Sequence, residues 1–343
     1  MQLKNLVAAL PKTSTVAANI TIEDDINPAR ELLVRERPFS EQGATEISVG
    51  LYVIDLFKID EARQSFEADF FIEFRWKDPH LVMSQSHCSI ASCRKTLDEI
   101  WHPAARIFNQ RNLTKNFETT VVAPDGTVVC GQRFNGLVSS PLNLKRFPFD
   151  EQTLKIQIMS FVFSPDEVQF LVNHHLTGLA EEISLPNWST NTPIAHTGSR
   201  HIAQLNQSFV CFDYELQVKR YTAYYITRVI LPLILIVLMS YAVFWFPPGQ
   251  IMPQVTISVT AILSLITYEF TLQQSLPQVP YLTVLDKFVI GAMVMVFLAL
   301  VETVTTIELA EVKLQFLALD LDSWLRWLFP AFLTGLAAAA FWL

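Results

Sequence analysis

One apolar stretch of this sequence carries hydroxyl side chains at a helical spacing. Residues 251–272 are long enough to cross a bilayer, since about 20 apolar residues span the hydrocarbon. One face of such a helix would combine three hydroxyls with two large apolar groups: Thr256, Thr260, Leu263, Thr267 and Phe270. A ring of these helices would line a water path with hydroxyls, and its apolar side chains would stop ions by dewetting when narrow. Thr and Ser also hydrogen-bond between packed membrane helices, so the spacing alone leaves a pore face and a packing face open.

Two carboxylates also fall within apolar stretches. Glu269 lies in the same stretch, next to Phe270, and Glu302 lies in the stretch that follows. Because an unpaired charge in hydrocarbon is costly, such residues are functional candidates by default, as ion or proton sensors. A protonated or partly hydrated carboxyl group that hydrogen-bonds between helices is an equally good interpretation of Glu269.

The helices that would position these side chains follow from the hydropathy of the chain. Four apolar stretches reach the length of a membrane-spanning helix, at residues 222–246, 251–272, 282–309 and 324–343. An even number of spans puts both ends of the set on the same side of the membrane. The sequence therefore predicts a transmembrane domain over residues 221–343.

The preceding part of the chain has the pattern of antiparallel strands. From Glu46 onward, short runs rich in β-branched and aromatic residues alternate in several places and are separated by turn residues. This pattern predicts a β-sandwich domain over residues 44–220. Residues 1–43 are polar with weak periodicity, and we assign them to an N-terminal extension whose structure the sequence does not predict.

Composition and motifs argue against several other classes of protein. The chain is 51% hydrophobic with a formal net charge of -8 and has no basic patch that would neutralise phosphates, so nucleic acid is not an expected partner. It lacks a nucleophile elbow, a phosphate loop and an H-E-x-x-H motif, which argues against an enzyme anchored in the membrane.

Cys88 and Cys93 could form a small disulfide loop, two free thiols or a metal pair, but no His or Cys group stands nearby at zinc spacing. We expect no metal and no cofactor.

Residues 140–152 read SPLNLKRFPFDEQ and contain the pattern F-P-F-D-x-Q. This segment resembles the signature loop of the Cys-loop receptor superfamily, the pentameric ligand-gated ion channels. Further matches occur in the order of that family: Trp76-Lys77-Asp78, Trp101-His102-Pro103, Arg220, Ile230-Leu231-Pro232 and Leu276-Pro277-Gln278-Val279-Pro280-Tyr281. Ser140 and Leu154 stand where animal receptors have two bracketing cysteines, which resembles the bacterial branch.

The resemblance implies a fold, an assembly and a location. The fold would be an all-β, immunoglobulin-like extracellular sandwich above an all-α bundle of four transmembrane helices. The assembly would be a homopentamer in the cell membrane, with the sandwich extracellular or periplasmic. A small-molecule agonist would bind the sandwich, and inorganic ions would pass through the pore.

The resemblance also gives the pore a gate and leaves its selectivity open. Counted back from Pro277, Leu263 matches the central gate position of the family, which favours the pore interpretation. Cation channels of the family usually carry an acidic ring at the inner mouth, but residues 247–254 contain no charge. Pro253-Gln254 gives only half of the pattern typical of anion channels. The acidic composition and the bacterial resemblance favour cations.

Agonists of the family bind between neighbouring subunits in a box of aromatic side chains, whose ring faces attract a cation. Counting from the matched motifs places aromatic residues at the expected positions: Phe71, Phe108, Phe161 and Phe209. Phenylalanine usually fills a core, so each of these has a purely structural alternative. A compact amine, an aromatic acid reached by Arg133, or a proton acting through the histidines of the outer domain would each fit as agonist.

By the same resemblance, binding is coupled to the pore at the junction of the two domains. The expected coupling residues are Asp60, Glu61, Phe149, Asp150, Arg220, Pro280 and Tyr281. Arg220 is expected between two carboxylates, because one guanidinium can engage both. A static brace that holds the domains together would use the same residues.

One other function class fits these observations. A non-conducting, membrane-anchored binding receptor would keep the sandwich match and would explain the missing ring of charge. Ion flux separates such a receptor from a channel directly.

Overall fold

The chain folds into a β-rich part followed by a helical part in this computed structural model. The structure describes residues 36–41, 43–82, 94–247, 250–276, 279–311 and 315–342. The alternatives for Cys88 and Cys93 fall outside these ranges, as does most of the predicted N-terminal extension.

Eleven strands form the β-rich part within the described residues. In chain order they are β1 (Thr45–Asp60), β2 (Ser65–Lys77), β3 (Ala105–Ile107), β4 (Gln110–Val122), β5 (Thr127–Ser139), β6 (Glu151–Ser160), β7 (Val168–Val172), β8 (Gly178–Leu179), β9 (Trp188–Thr190), β10 (Ile194–Ile202) and β11 (Gln207–Arg220). Strand β6 illustrates why they form: Leu154, Ile156 and Ile158 alternate with more exposed residues, so one face is apolar.

The strands make two sheets that pack face to face. One sheet has the order β4-β5-β2-β1-β7 with β8 also on β1, and the other has the order β10-β11-β6-β3 with β9 on β11. Apolar side chains from both sheets, including Phe66, Phe70, Ile156 and Phe212, form one buried core. The predicted β-sandwich is confirmed. The expectation that its strands are antiparallel is wrong for β7, which the chain reaches from β6 of the other sheet and which pairs in parallel with β1. Strand β8 also pairs in parallel with β1.

The pairing of β4 with β5 requires a glycine at one position. Gly136 has a φ of +136°, a backbone conformation that residues with a side chain rarely adopt. A methyl group at this position would overlap the Asn112 carbonyl oxygen. We therefore expect Gly136→Ala to lower the free energy of unfolding by about 1–3 kcal/mol per subunit. The melting temperature of the purified protein measures this. Gly198→Ala is the matched control, since a methyl group there has no neighbour within 4 Å among the described residues. Equal melting temperatures for the two variants would contradict the prediction.

Four long helices form the second part. They are α1 (Ala223–Trp245), α2 (Ile251–Ser275), α3 (Val284–Glu311) and α4 (Gln315–Trp342). Three segments are long and apolar enough to cross a membrane, Ala223–Trp245, Ile251–Gln273 and Val284–Leu309. The fourth predicted span, 324–343, falls on α4 apart from its last residue, and its crossing of the membrane stays a prediction.

Helix α1 is irregular where its sequence contains proline. Pro232 has no N–H to donate to the Arg228 carbonyl, and the turn Ile226–Ile230 is π-helical. The Tyr268 hydroxyl of α2 donates to the Val229 oxygen at 2.6 Å. A side chain of α2 therefore satisfies a carbonyl of α1 at this irregular turn.

The two parts share a packed junction. Leu144 and Phe147, which belong to the loop before β6, are buried with residues of α1, α2 and α3 in the core of the helical part. The Val284 N–H donates to the Lys145 oxygen at 3.0 Å and the Leu285 N–H to the Phe147 oxygen at 3.2 Å. The start of α3 is thus capped by the sandwich domain, and the end of α3 lies on the far side of the helical part.

Candidate pore, ligand site and coupling region

The predicted pore face of α2, which we call the stripe, is exposed along its whole length in the single chain. All five residues, Thr256, Thr260, Leu263, Thr267 and Phe270, are exposed, with Leu263 at 59% and Phe270 at 63%. The hydroxyls of Thr256, Thr260 and Thr267 each donate to the carbonyl four residues earlier on α2, at 2.7, 2.6 and 2.9 Å. Their donors are therefore satisfied within the helix, and each hydroxyl oxygen keeps lone pairs that can accept a further hydrogen bond.

The helix-packing alternative fits a different residue of α2. Ser258 is buried, and its hydroxyl lies 3.0 Å from that of Thr303 on α3. This is the contact expected of a polar side chain between packed membrane helices. The two interpretations of the hydroxyl residues thus apply to two faces of one helix: packing at Ser258, and an open face at the stripe.

Three of the predicted ligand-site residues form one aromatic cluster. The Phe161 ring centroid lies 5.6 Å from that of Phe209 and 6.1 Å from that of Phe108, with the rings tilted. Phe209 is buried, whereas Phe161 and Phe108 are 42% and 43% exposed. The cluster therefore presents two exposed rings that pack, directly or through each other, on a buried third ring.

Sequence reasoning missed the charged group on this cluster. The Arg200 guanidinium lies over the Phe108 ring, 5.5 Å from its centroid, and donates to Asp213 at 3.3 Å. Arg200 pairs with Phe209 in the register of β10 and β11. Only that register places Arg200 beside the cluster, so the sequence pattern offered no signal for it.

The other two predicted ligand-site residues lie on the opposite sheet. Phe71 on β2 and Arg133 on β5 are directly opposite each other in the antiparallel pairing of these neighbouring strands. The Arg133 Nε and Nη2 donate to the two carboxylate oxygens of Asp69 at 2.9 and 2.6 Å. This hydrogen bonding raises the pKa of Arg133. Within one chain, the structure therefore does not bring Phe71 and Arg133 together with the aromatic cluster.

Arg220 lies between two carboxylates at the junction. Its Nε donates to Asp150 Oδ1 at 2.8 Å, its Nη2 to Asp150 Oδ2 at 3.3 Å, and its Nη1 to Glu61 Oε1 at 2.9 Å. Arg220 and Asp150 are almost fully buried, at 4% and 2% exposure. Burial alone would lower the pKa of Arg220, but the hydrogen bonds and charges of Asp150 and Glu61 outweigh it and raise the pKa. The guanidinium is therefore a fully charged, desolvated centre.

Aromatic rings complete the surroundings of this guanidinium. Its carbon lies 4.1 Å from the ring centroid of Trp188, 4.8 Å from that of Phe147 and 5.7 Å from that of Tyr225. Such cation–π contacts stabilise a desolvated cation. Trp188 and Tyr225 were not identified from the sequence; Tyr225, five residues after Arg220, could have been found by its proximity.

The remaining coupling candidates differ in their contacts at the junction of the two domains. The Tyr281 hydroxyl accepts from the Leu144 N–H at 3.0 Å, which connects the segment between α2 and α3 to the signature loop. Phe149 packs against the core of the helical part. Asp60 accepts from the Arg63 N–H instead of contacting Arg220, and Pro280 is exposed.

Two neighbouring strands join the aromatic cluster to the Arg220 centre. Strand β6 begins directly after Asp150 and ends directly before Phe161, while β11 carries Phe209 near its start and Arg220 at its end. The strands pair antiparallel, with Met159 opposite Cys211 and Glu151 opposite Lys219. Each strand thus has a ring of the cluster at one end and a charged group of the centre at the other.

Comparison with known proteins defines the class. A family model described as the neurotransmitter-gated ion-channel ligand binding domain matches residues 30–222, and one for the neurotransmitter-gated ion-channel transmembrane region matches residues 229–314. The sandwich, the helices and the junction between them are therefore those of a ligand-gated ion channel subunit, a multi-pass membrane protein with an extracellular domain. The chain belongs to the neurotransmitter-gated ion-channel family, the pentameric Cys-loop superfamily, whose members are channels and not enzymes.

Two relatives give the range of the similarity. A proton-gated ion channel of Gloeobacter violaceus is 26% identical over 266 residues, which cover 77% of this chain and 73% of the relative. A gamma-aminobutyric acid receptor subunit beta-4 of Gallus gallus is 24% identical over 303 residues, which cover 86% of this chain and 61% of the relative. The similarity to both extends over most of this chain.

Proposed function

We propose that five copies of this chain form a homopentameric, agonist-gated cation channel whose pore is lined by α2. The observation that carries this proposal is the stripe on α2, an exposed helix face whose hydroxyl donors are all satisfied within the helix. In a ring, this face would offer acceptor oxygens to passing cations at the threonines and apolar constrictions at Leu263 and Phe270.

A second copy is also needed to complete the ligand site. The aromatic cluster lies on the sheet of β6 and β11, and Phe71 and Arg133 lie on the sheet of β2 and β5. One ligand touches both sets only where two subunits meet, each contributing one set. This division supports agonist binding at the extracellular subunit interface.

The chemistry of the cluster supports a compact agonist with a ring or a charge. The exposed Phe161 ring attracts an ammonium group, and Arg200 and Arg133, each already paired with one aspartate, attract a carboxylate. The name of the Gloeobacter relative adds protons to the agents worth testing. We propose cation selectivity because the chain has a net charge of -8 and because Glu269 adds a carboxylate to the ectodomain half of α2.

Voltage-clamp recording of cells that express the chain tests this function. The extracellular solution is stepped in pH, and small amines and aromatic acids are then applied. We expect a gated current whose reversal potential shifts in diluted salt as a cation conductance requires. A shift of the opposite sign would overturn cation selectivity. Silent pentamers that still bind one of these agents at the aromatic cluster would support the non-conducting receptor.

We expect Phe161→Ala to raise the agonist concentration for half-maximal current about tenfold. The physical reason is the loss of an exposed ring face, worth about 1–2 kcal/mol to a bound cation or ring. Concentration–response curves of the gated current measure the change.

Two controls separate binding from general damage. Phe161→Tyr keeps the ring and should retain the original sensitivity within about twofold. Phe57→Ala removes a ring of similar exposure from β1 and should also leave the sensitivity unchanged. If Phe57→Ala shifts the curve as far as Phe161→Ala, the aromatic cluster is not the ligand site.

A further inference from the structure

The half of the helical part nearest the sandwich holds two charged side chains of opposite sign, one on α1 and one on α2. Arg228 lies five residues after the start of the apolar segment Ala223–Trp245, and Glu269 lies four residues before the end of Ile251–Gln273. At about 1.5 Å per residue, both are roughly 6–8 Å inside these segments. The Tyr268 hydroxyl also lies 3.4 Å from the Arg228 carbonyl oxygen, so the two charged residues have similar depths.

Neither charge has an ion-pair partner within the described part of its own chain. Glu269 Oε1 accepts one long hydrogen bond, from Gln273 Nε2 at 3.3 Å, and Oε2 is buried with no hydrogen-bond partner there. The Arg228 side chain is exposed, and its guanidinium has no hydrogen bond to the described residues. Because an unpaired charge in hydrocarbon is costly, each side chain requires a partner of opposite sign from outside the chain.

Glu269 lies on one side of α2 and not on the stripe. Ile262, Ile266 and Gln273 share its side of the helix, at i−7, i−3 and i+4. Ile266 is 45% exposed and Gln273 is exposed as well, so this side is open in the single chain. It lies between the stripe and the face that packs within the chain, where Leu265 is buried. In a ring whose stripes face the pore, this side of each α2 faces a neighbouring copy.

Arg228 lies on a face of α1 that the chain leaves uncovered. Tyr224, Leu231 and Leu235 share this face, at i−4, i+3 and i+7, and they are 64%, 48% and 57% exposed. Leucine side chains alone would suit contact with lipid, but an arginine at this depth would not. The face therefore requires a partner surface that is apolar and carries one negative charge.

We propose that Arg228 of one copy and Glu269 of the next form an ion pair at each subunit interface of the helical part. The side of α2 has what the face of α1 requires, since Ile262 and Ile266 are apolar and Glu269 carries the negative charge. A guanidinium forms short, charge-assisted hydrogen bonds to a carboxylate oxygen, and arginine suits such interface pairs.

This inference rests on the proposed homopentamer and adds the surface by which its copies recognise each other. Helix α2 lines the proposed pore and α1 lies behind it. The carboxylate is therefore the end of the pair nearer to the pore, and the pair is compatible with the proposed cation selectivity.

Charge reversal tests the pair on the full-length chain, with the yield of pentamers measured by size-exclusion chromatography after purification from membranes. We expect Arg228→Glu and Glu269→Lys each to lower the yield about tenfold or more, because each places two like charges together inside hydrocarbon. The double variant, with both changes in one chain, restores opposite charges and should recover most of the yield.

Co-expression of the two single variants, each with its own affinity tag, shows whether the partners belong to different copies. Where unlike chains meet, opposite charges face each other in either order, whereas like chains bring equal charges together. We therefore expect pentamers that carry both tags, at a yield well above that of either variant alone. A pair within one chain would be restored by the double variant and not by the mixture.

Neutral substitutions test the pair without introducing a repulsion. Arg228→Gln and Glu269→Gln should each lower the temperature at which pentamers dissociate on heating. The variant with both changes should dissociate at no lower temperature than the less stable single variant, because either change already removes the pair. Lys287→Gln is the matched control, since Lys287 is an exposed cation in the first turn of α3. Its effect should add to that of Glu269→Gln.

Three results would overturn the proposal. The first is an unchanged pentamer yield for both single charge reversals. The second is recovery by the double variant but not by the mixture, which would place the pair within one chain. The third is a loss with Arg228→Glu that Glu269→Lys restores in neither arrangement, which would assign Arg228 to lipid phosphate groups. Because assembly is measured without agonist, paired pentamers that carry no gated current would count against the proposed channel function alone.

Discussion

Channels with Leu263→Thr are expected to pass current without agonist and to respond to agonist at concentrations lower by at least about tenfold. In the closed ring of the proposed homopentamer, five Leu263 side chains would contact one another and exclude water from the constriction. Threonine removes about 1 kcal/mol of this apolar contact per subunit, or about 5 kcal/mol over five subunits. Moving an equilibrium from 1:99 to 99:1 takes about 5.5 kcal/mol, so the substitution is large enough to populate the open state by itself. Leak current and concentration–response curves measure both effects.

A control on the same helix makes this result specific to the stripe. Val255 is exposed on α2 but lies off the stripe. Val255→Thr replaces one methyl group with a hydroxyl group of similar size. We expect Val255→Thr to leave both the leak current and the agonist sensitivity unchanged. If Leu263→Thr gives no more leak current than Val255→Thr, Leu263 is not the gate.

The second large effect is expected at Arg220. Arg220→Ala leaves Asp150 buried without its ion pair and removes the cation from between Trp188 and Phe147. Breaking a buried pair in this way costs about 3–5 kcal/mol per subunit. We therefore expect a much lower melting temperature, a low yield of assembled pentamers and no gated current.

Lys219 provides the matched control for this substitution. It is adjacent to Arg220 on β11 and forms an ion pair with Glu151 at 2.9 Å, but both side chains are 66% exposed. An exposed pair contributes about 0–1 kcal/mol, so Lys219→Ala should behave almost as the unaltered chain. Similar melting temperatures for Lys219→Ala and Arg220→Ala would contradict the importance of the buried centre.

Arg220→Lys separates a coupling role from a static brace. Lysine keeps the charge but cannot engage Asp150 and Glu61 in the same fixed geometry. If the centre only holds the domains together, current and melting temperature should decline in proportion. If it transmits gating, pentamers with a nearly unchanged melting temperature should lose most of their current.

The geometry of β6 and β11 gives a physical path for such transmission. Phe209 and Arg220 are separated along β11 by about 35 Å of extended chain, at roughly 3.3 Å per residue. Because β6 and β11 are hydrogen-bonded to each other, we expect a displacement at the aromatic cluster to move both Asp150 and Arg220. From Arg220 the chain enters α1, whose irregular turn contacts α2 through Tyr268. Each step of this path is a contact of the structure, and Arg220→Lys and Phe161→Ala test its two ends.

The sequence by itself determined the features that depend on local order along the chain. Hydropathy predicted four helices, each of which the structure has, and three of them are long and apolar enough to cross a membrane. Alternation predicted the sandwich, and the order of short motifs from Trp76 to Tyr281 predicted the family. The stripe on α2 could be predicted because helical periodicity alone decides which residues share a face. Distance along the chain from a motif was enough to propose Phe108, Phe161 and Phe209, which converge in the structure.

The tertiary structure decided the features that depend on which distant segments meet. It placed Phe71 and Arg133 on a different sheet from the aromatic cluster, brought Arg200 onto Phe108, and enclosed Arg220 with Trp188. It also joined Glu302 to Asp322 across two helices. None of these contacts follows from periodicity, because strand register and helix packing are set by the burial of whole faces and not by the polar residues that those faces carry into contact.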